Sequence, residues 1–246
     1  MFQLQRTFSR DDLTRLLSLS LKKWSNGEAK FECVTINCDD QGQVSGYMFV
    51  RPGAGSDSFD KKSTTVNLTH EVICAGIYQA ASDEGTPLAP NSLVFSNSKD
   101  EGMAYSTVKA TASSANQAVQ TDKNWPALPP TQPGIVSFPA PVSIFFNNEE
   151  LQELVKASCK RAGYAITDVS LSDNEASGVS AGITIKTGTA KNSDSSSLVL
   201  SPTRLNDTLA TELTTRGYIV ADHGLHFSQD EESVCAMVTV SAIPNR

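Results

Sequence analysis

Charge is scarce in this sequence: charged residues make 19% of its 246 positions, where about a quarter is ordinary. Twenty Lys and Arg stand against 27 Asp and Glu, a net charge of -7. With a pI near 5.0, that balance argues against a surface gripping nucleic acid or anionic membrane over its whole extent, and leaves room only for a local basic stripe. No apolar run approaches the roughly 20 residues of a transmembrane helix, which predicts a chain with no membrane partner. The opening MFQLQRTFSRDDL lacks the apolar segment of a signal peptide, so the chain is expected to be cytoplasmic at synthesis.

Cysteine and histidine are few. The five cysteines, Cys33, Cys38, Cys74, Cys159 and Cys235, include no CxxC pair and no neighbouring His. Cys33 and Cys38 fall on opposite faces of one strand-like run and share neither a disulfide nor a metal without a bulge. Free, mostly buried thiols in a reducing compartment are expected. His70 opens a helical pattern, while His223 and His226 flank a bend containing Gly224, a poor setting for a metal pair. No GxSxG elbow, HExxH helix, GxxxxGK[ST] loop or GxGxxG fingerprint occurs. The nearest glycine cluster, Gly53 to Gly55, has no helix start behind it to hold a phosphate. Catalytic, cofactor and metal residues are therefore expected to be absent, and the chain is expected not to be an enzyme.

What the sequence does carry is repetition. The segment FSRDDLTRLLSLSLKKW recurs as FNNEELQELVKASCKRAGY at an offset of 138, so that Leu13, Leu16, Leu17 and Leu21 match Leu151, Leu154, Val155 and Cys159. Their i, i+3, i+4, i+8 spacing is the stripe of an amphipathic helix. Beyond it, VTINCDDQGQVSGYMFVRPG and VSLSDNEASGVSAGITIKTG both read as hairpins.

Four helix starts share one signature. Ser9, Thr69, Asn147 and Ser201 are N-cap candidates, each preceded by Phe8, Leu68, Phe146 or Leu200 and followed by Leu13, Ile73, Leu151 or Leu205 at the spacing of a hydrophobic staple. Glu150 completes a capping box at the third start, with Asp12 a weaker version at the first. Gly163 and Gly217 are placed to end helices in the left-handed conformation. Two β-like runs follow each helix, so the unit reads βαββ, four times.

Between the halves, SSANQAVQTDKNWPALPPTQPGIVSFPAP holds six of the eleven prolines and reads as an extended linker, with Trp125 and Leu128 as apolar docking candidates. The expected fold is α+β: a first domain over 1–112, a Pro-rich linker over 113–141 and a second domain over 142–246. Each domain is expected to hold two βαββ units joined edge to edge, their helices on one face of a mainly antiparallel sheet.

This architecture, with 30 Ser and 21 Thr, suits a non-enzymatic assembly protein that binds itself and other structural proteins. A virion component of a phage tail, baseplate or capsid would be one such role. Sheet edges are the expected means, with Ser180, Thr184 and Thr239 as interface candidates. The alternative is a DNA sliding clamp, a ring of duplicated strand and helix units around duplex DNA. The chain resembles that family in length, acidic balance, four helix stations and a linker between halves. The resemblance implies DNA-facing helices, for which Arg15, Lys22, Lys23, Lys156, Lys160 and Arg161 are the candidates, while His70, Glu71, Asp83 and Glu84 give the second helix the wrong sign. Clamp repeats carry an additional strand. A third class, an enzyme with a site assembled between subunits from scattered residues, leaves no contiguous motif to read.

Overall fold

Four junctions between a strand and a helix carry the architecture, each made by short-range chemistry. A computed structural model describes residues 5–25, 31–51, 63–96, 103–107, 134–174, 178–187, 194–230 and 233–244. The order is β1 (Gln5–Phe8), α1 (Arg10–Trp24), β2 (Phe31–Cys38), β3 (Val44–Val50), β4 (Thr64–Leu68), α2 (His70–Asp83), β5 (Val94–Ser96) and β6 (Met103–Thr107). It continues with β7 (Ile135–Phe146), α3 (Asn148–Arg161), β8 (Ile166–Asn174), β9 (Gly178–Thr187), β10 (Asp194–Leu200), α4 (Pro202–Thr215), β11 (Ile219–Asp230) and β12 (Ser233–Pro244). The chain is thus α+β, with four helices and mostly antiparallel sheets among the described residues.

Ser9, Thr69, Asn147 and Ser201 are the N-caps of the four helices. Ser9 Oγ accepts the Asp12 N–H at 3.2 Å while Asp12 Oδ2 accepts the Ser9 N–H at 3.1 Å. Asn147 and Glu150 repeat the exchange at 2.9 Å in both directions. The first capping box is therefore as complete as the third, because an Asp one methylene shorter than Glu still reaches back to the cap. Each box is worth about 0.5–2 kcal/mol. The eight flanking apolar residues, Phe8 with Leu13, Leu68 with Ile73, Phe146 with Leu151 and Leu200 with Leu205, are all buried.

Glycine closes three of the helices. Gly85, Gly163 and Gly217 have φ of 76°, 91° and 95°, a region that costs a side-chain-bearing residue free energy. The next residue folds back in each case: Thr86 N–H donates to Ala81 O, Tyr164 N–H to Cys159 O and Tyr218 N–H to Leu213 O, at 2.9–3.1 Å. These bonds satisfy carbonyls that the helix end would otherwise leave open.

The chain divides into two units. The first runs to Val142 and takes the end of β12 from Ile243; the second is Ser143–Ala242. In the first, β1-β6-β5 form one antiparallel sheet, and β4-β3-β2 form a ladder with Gly46 opposite Leu68 and Ile36 opposite Gly46. In the second, β10-β9-β8 form one antiparallel sheet, and β11 pairs with β12. β7 stands next to β4 and next to β12 in strand order; its Ile135–Val142 stretch belongs to the first unit and Ser143–Phe146 to the second.

This pairing differs from the expected one. Each hairpin takes as its third strand the one leading into the following helix: β4 joins β2-β3, and β10 joins β8-β9. β1 joins the later hairpin β5-β6. Sequential antiparallel strands pair through short connections, whereas β1 is separated from β2 by a whole helix. Strand structure also reaches into the expected linker, since Ile135–Pro141 lie in β7. Trp125 and Leu128 lie outside the described residues.

In each unit the two helices pack on one another and on the sheets: α1 and α2 in the first, α3 and α4 in the second. Gly76 sets the approach of α1 to α2. A Cβ there would come within 2.7 Å of Leu17 Cδ1, and Ser20 Oγ donates to Gly76 O at 2.6 Å. Trp24 then closes the end of this layer edge-on against Phe138, with ring centres 6.3 Å apart.

Candidate functional site

Two kinds of surface were expected to act: sheet edges and basic helix faces. Strand order sets the first. β10 and β8 end one three-stranded sheet, β1 and β5 end the other, and β11 and β2 stand at the ends of the remaining strand order.

Most of these ends carry a feature that discourages further pairing. β11 breaks register between Val220 and Leu225, with His223 at φ 53° and Asp222, His223 and His226 exposed. The bulge needs Gly224, where a Cβ would meet Thr239 O at 2.8 Å and Ala221 O at 2.9 Å. β8 has a shift between Ile166 and Asp168 and exposes Asp168 and Asp173. β2 has a shift between Phe31 and Val34, and β5 has only three residues. Bulges, charges and short length are the usual devices against stray association.

β10 has neither a bulge nor short length, and its one charged residue is Asp194 at its first position. Its sequence, DSSSLVL, holds no Lys, Arg or Pro, and its register on β9 is unbroken from Asp194 opposite Thr187 to Leu200 opposite Ala181. Leu200 is buried, while Ser195, Ser197 and Val199 form an exposed row. Val199 is 67% exposed, the highest among the large exposed apolar residues described. β1 and the three-residue β5 are the other end strands without a register shift; Thr7 of β1 is exposed and its Phe8 is buried.

Ser180 and Thr184 lie on β9, between β10 and β8: Thr184 stands opposite Ser197 on one side and Asp168 on the other, and Ser180 stands opposite Ser172 just beyond the end of the β10 ladder. Their side chains share the outer face with Ser170 and Ser172: Ser172 and Ser180 are hydrogen-bonded at 3.2 Å. Thr239 lies on β12, half-buried, and β12 pairs with β11. Ser180 and Thr184 belong to the sheet that β10 and β8 end, while Thr239 belongs to the other strand order, between the paired residues Val238 and Val240.

The candidate DNA-facing cations divide evenly. Lys23 Nζ binds Asp83 at 2.9 Å, and Arg15 makes a two-pronged contact with Glu84, one prong at 3.3 Å. Arg161 reaches Glu212 at 2.9 Å. Lys23 and Arg161 are equivalent under the offset of 138, and in each unit this cation ties the first helix to an acid near the end of the second. Lys22, Lys156 and Lys160 make no ion pair with a described residue. Lys22 and Lys160 are equivalent under the same offset and both are exposed.

Electrostatics follow these contacts. The Ser9 hydroxyl and then its backbone N–H hold Asp12 below its usual carboxylate range. The Arg15 hydrogen bond does the same for Glu84, and Glu84 in turn raises Arg15.

One pairing escaped the sequence reading. His70 Nε2 lies 3.4 Å from Cys74 Sγ, and Nδ1 accepts the Val44 N–H at 3.2 Å. A Cys beside a His invites a nucleophile reading, and the i, i+4 spacing on α2 was the available signal. Burial pushes the Cys74 thiol up to about 12, so it stays protonated and unreactive at neutral pH. Its surroundings fit a structural role: the His70 ring packs edge-on against Phe95 and pins the start of α2 to β3. The described cysteines Cys38, Cys74, Cys159 and Cys235 are free thiols.

No helix of the described residues is long and apolar enough to cross a membrane. No protein-family model matches this chain, and neither a curated protein nor a solved structure matches it.

Proposed function

We propose that this chain is a non-enzymatic assembly protein, made of two related halves of two strand-helix-strand-strand units each, that works by associating with itself and with other structural proteins. The observation that carries this reading is the end strand β10, seven residues in unbroken register without bulge, proline or basic side chain, with Val199 two-thirds exposed. Unpaired strand edges either are protected or are used, and the other long edges of the second unit are protected. The duplication is supported by the matched capping boxes at Ser9 and Asn147 and by the matched cations Lys23 and Arg161. The mass of the purified chain in solution over a range of concentrations tests the proposal. Discrete oligomers are expected, and a chain that stays monomeric at every concentration overturns it.

A second reading, a ring around duplex DNA, is favoured by one observation: Lys22 and Lys160 occupy matched, exposed positions in the last turns of α1 and α3. Against it, three of the six candidate cations are already neutralised within the chain. Retention of the protein on circular but not linear duplex separates the two readings.

A further inference from the structure

We propose that His70 is a pH-sensitive latch: as a neutral ring it ties the first turn of α2 to the start of β3, and on taking up a proton it releases that tie. The latch is independent of the assembly reading.

Geometry fixes the tautomer. A backbone N–H can only donate, and that of Val44 meets His70 Nδ1 at 3.2 Å, so Nδ1 holds a lone pair. In the neutral imidazole the proton then sits on Nε2, which lies 3.4 Å from the sulfur of Cys74 and donates to it. A proton arriving from water has one place to bind, the Nδ1 lone pair. Nδ1 then becomes a donor facing a donor, and the bond from Val44 is lost. The ring is half-buried and packs edge-on against Phe95, with centres 5.8 Å apart. The imidazolium regains a partner for Nδ1 by turning out toward water, which frees the start of α2 from β3.

Two further features set the direction. His70 is the first residue of α2, where the helix dipole disfavours a cation. Thr69, the N-cap of this helix, makes no side-chain cap hydrogen bond, whereas Ser9 and Asn147 complete capping boxes on α1 and α3. The start of α2 therefore depends more on the His70 bond. Charges that would favour the imidazolium are weakly placed. On α2 the electrostatic neighbour is Glu71, which is exposed and screened by solvent. β3, β4 and β5 carry no charged side chain in VSGYMFV, TTVNL and VFS. The turn before β3 carries Asp39 and Asp40, both exposed, and Asp39 Oδ1 already accepts the Gln41 and Gln43 N–H groups at 2.8 Å.

Hydrogen–deuterium exchange of the full chain, read by mass spectrometry on peptides covering Val44 and the first turn of α2, tests the latch. Labelling at about pH 7.5 and about pH 5.5 brackets the range in which histidine titrates, with labelling times scaled to cancel the pH dependence of chemical exchange. In the parent, both segments should exchange several-fold faster at the lower pH. The starts of α1, α3 and α4, which hold no histidine, should keep their rates. His70→Asn offers an amide oxygen in place of Nδ1 that does not titrate, and should remove the difference while keeping the parent's rates at the higher pH. Unchanged exchange in the parent overturns the proposal, and so does equal loosening at all four helix starts. A difference that survives in a folded His70→Asn variant overturns it as well. The parent's own comparison decides the matter even where that variant fails to fold.

Discussion

Glu212 of α4 and Arg216, the residue that caps the end of that helix, form a buried ion pair: Arg216 Nε donates to Glu212 Oε1 at 2.9 Å, with Glu212 fully buried. Arg161 of α3 donates to the same oxygen at 3.0 Å and stands at ion-pair distance from the other. A carboxylate taken wholly out of water is tolerable only with such company. Removing it strands a guanidinium that is itself buried. Glu212→Ala should therefore cost about 3–5 kcal/mol in urea unfolding. The matched pair on the surface of the first unit, Lys23 with Asp83, has both side chains about half exposed, and Lys23→Ala should cost no more than about 1 kcal/mol. Equal losses from the two variants would mean that the buried cluster is not what joins α3 to α4.

The strand-to-helix staples give a second expectation. Phe146 and Leu151 are both buried, and replacing both with Ala removes two core side chains at about 2–5 kcal/mol each. A double variant melting with the parent would show that the flanking apolar pair contributes nothing to the junction.

These junctions were legible in the sequence because everything that makes them lies within six residues. Cap, box, staple and the closing glycines Gly163 and Gly217 are local devices with their own residue signatures. The choice of strand partners was not legible. β1 could have joined its own hairpin as well as β5-β6, and period-two alternation reads the same on an edge strand as on an interior one. That is why Ser180 and Thr184 were candidates although β9 lies between two strands, while Val199, next to the staple residue Leu200, was not. The His70 and Cys74 pair was readable as a spacing, but its burial was not.

Gly76 offers a case where two effects oppose. Ala is a better helix former than Gly by about 1 kcal/mol. Here the added methyl would stand 2.7 Å from Leu17 Cδ1, and Leu17 is fully buried. Overpacking of this kind costs about 1–3 kcal/mol, so Gly76→Ala is expected to be net destabilising in thermal melts. A raised melting temperature would show that α1 can slide away from α2 freely.

Acid should loosen the first unit through two carboxylates. Asp12 and Glu84 are held below their ordinary range in the folded chain, by Ser9 and by Arg15 respectively. A group whose folded pKa is depressed contributes stability that is present above its unfolded pKa and is lost as pH falls through the folded one. Both groups are close to solvent, so the effect is small for each. Asp12→Asn and Glu84→Gln together should flatten the fall in stability below about pH 4, where free Asp and Glu titrate, and change little at neutral pH beyond the loss of the contacts themselves. An unchanged acid limb in the double variant would place the acid sensitivity elsewhere.

Lys22 and Lys160 decide the role of the helix faces. A phosphate-contacting Lys lowers the salt dependence of binding when removed, by close to one unit in the slope of log K against log salt per contact. The last-turn positions of these two residues have a simpler explanation, since cations there complement the helix dipole and remain solvated. On the assembly reading, Lys22→Ala combined with Lys160→Ala leaves the oligomer's mass unchanged, and neither parent nor variant is retained on circular duplex as salt is raised from about 50 to 200 mM, a range over which phosphate contacts lose most of their affinity. Retention of the parent with a reduced salt slope in the variant would instead put duplex DNA against α1 and α3.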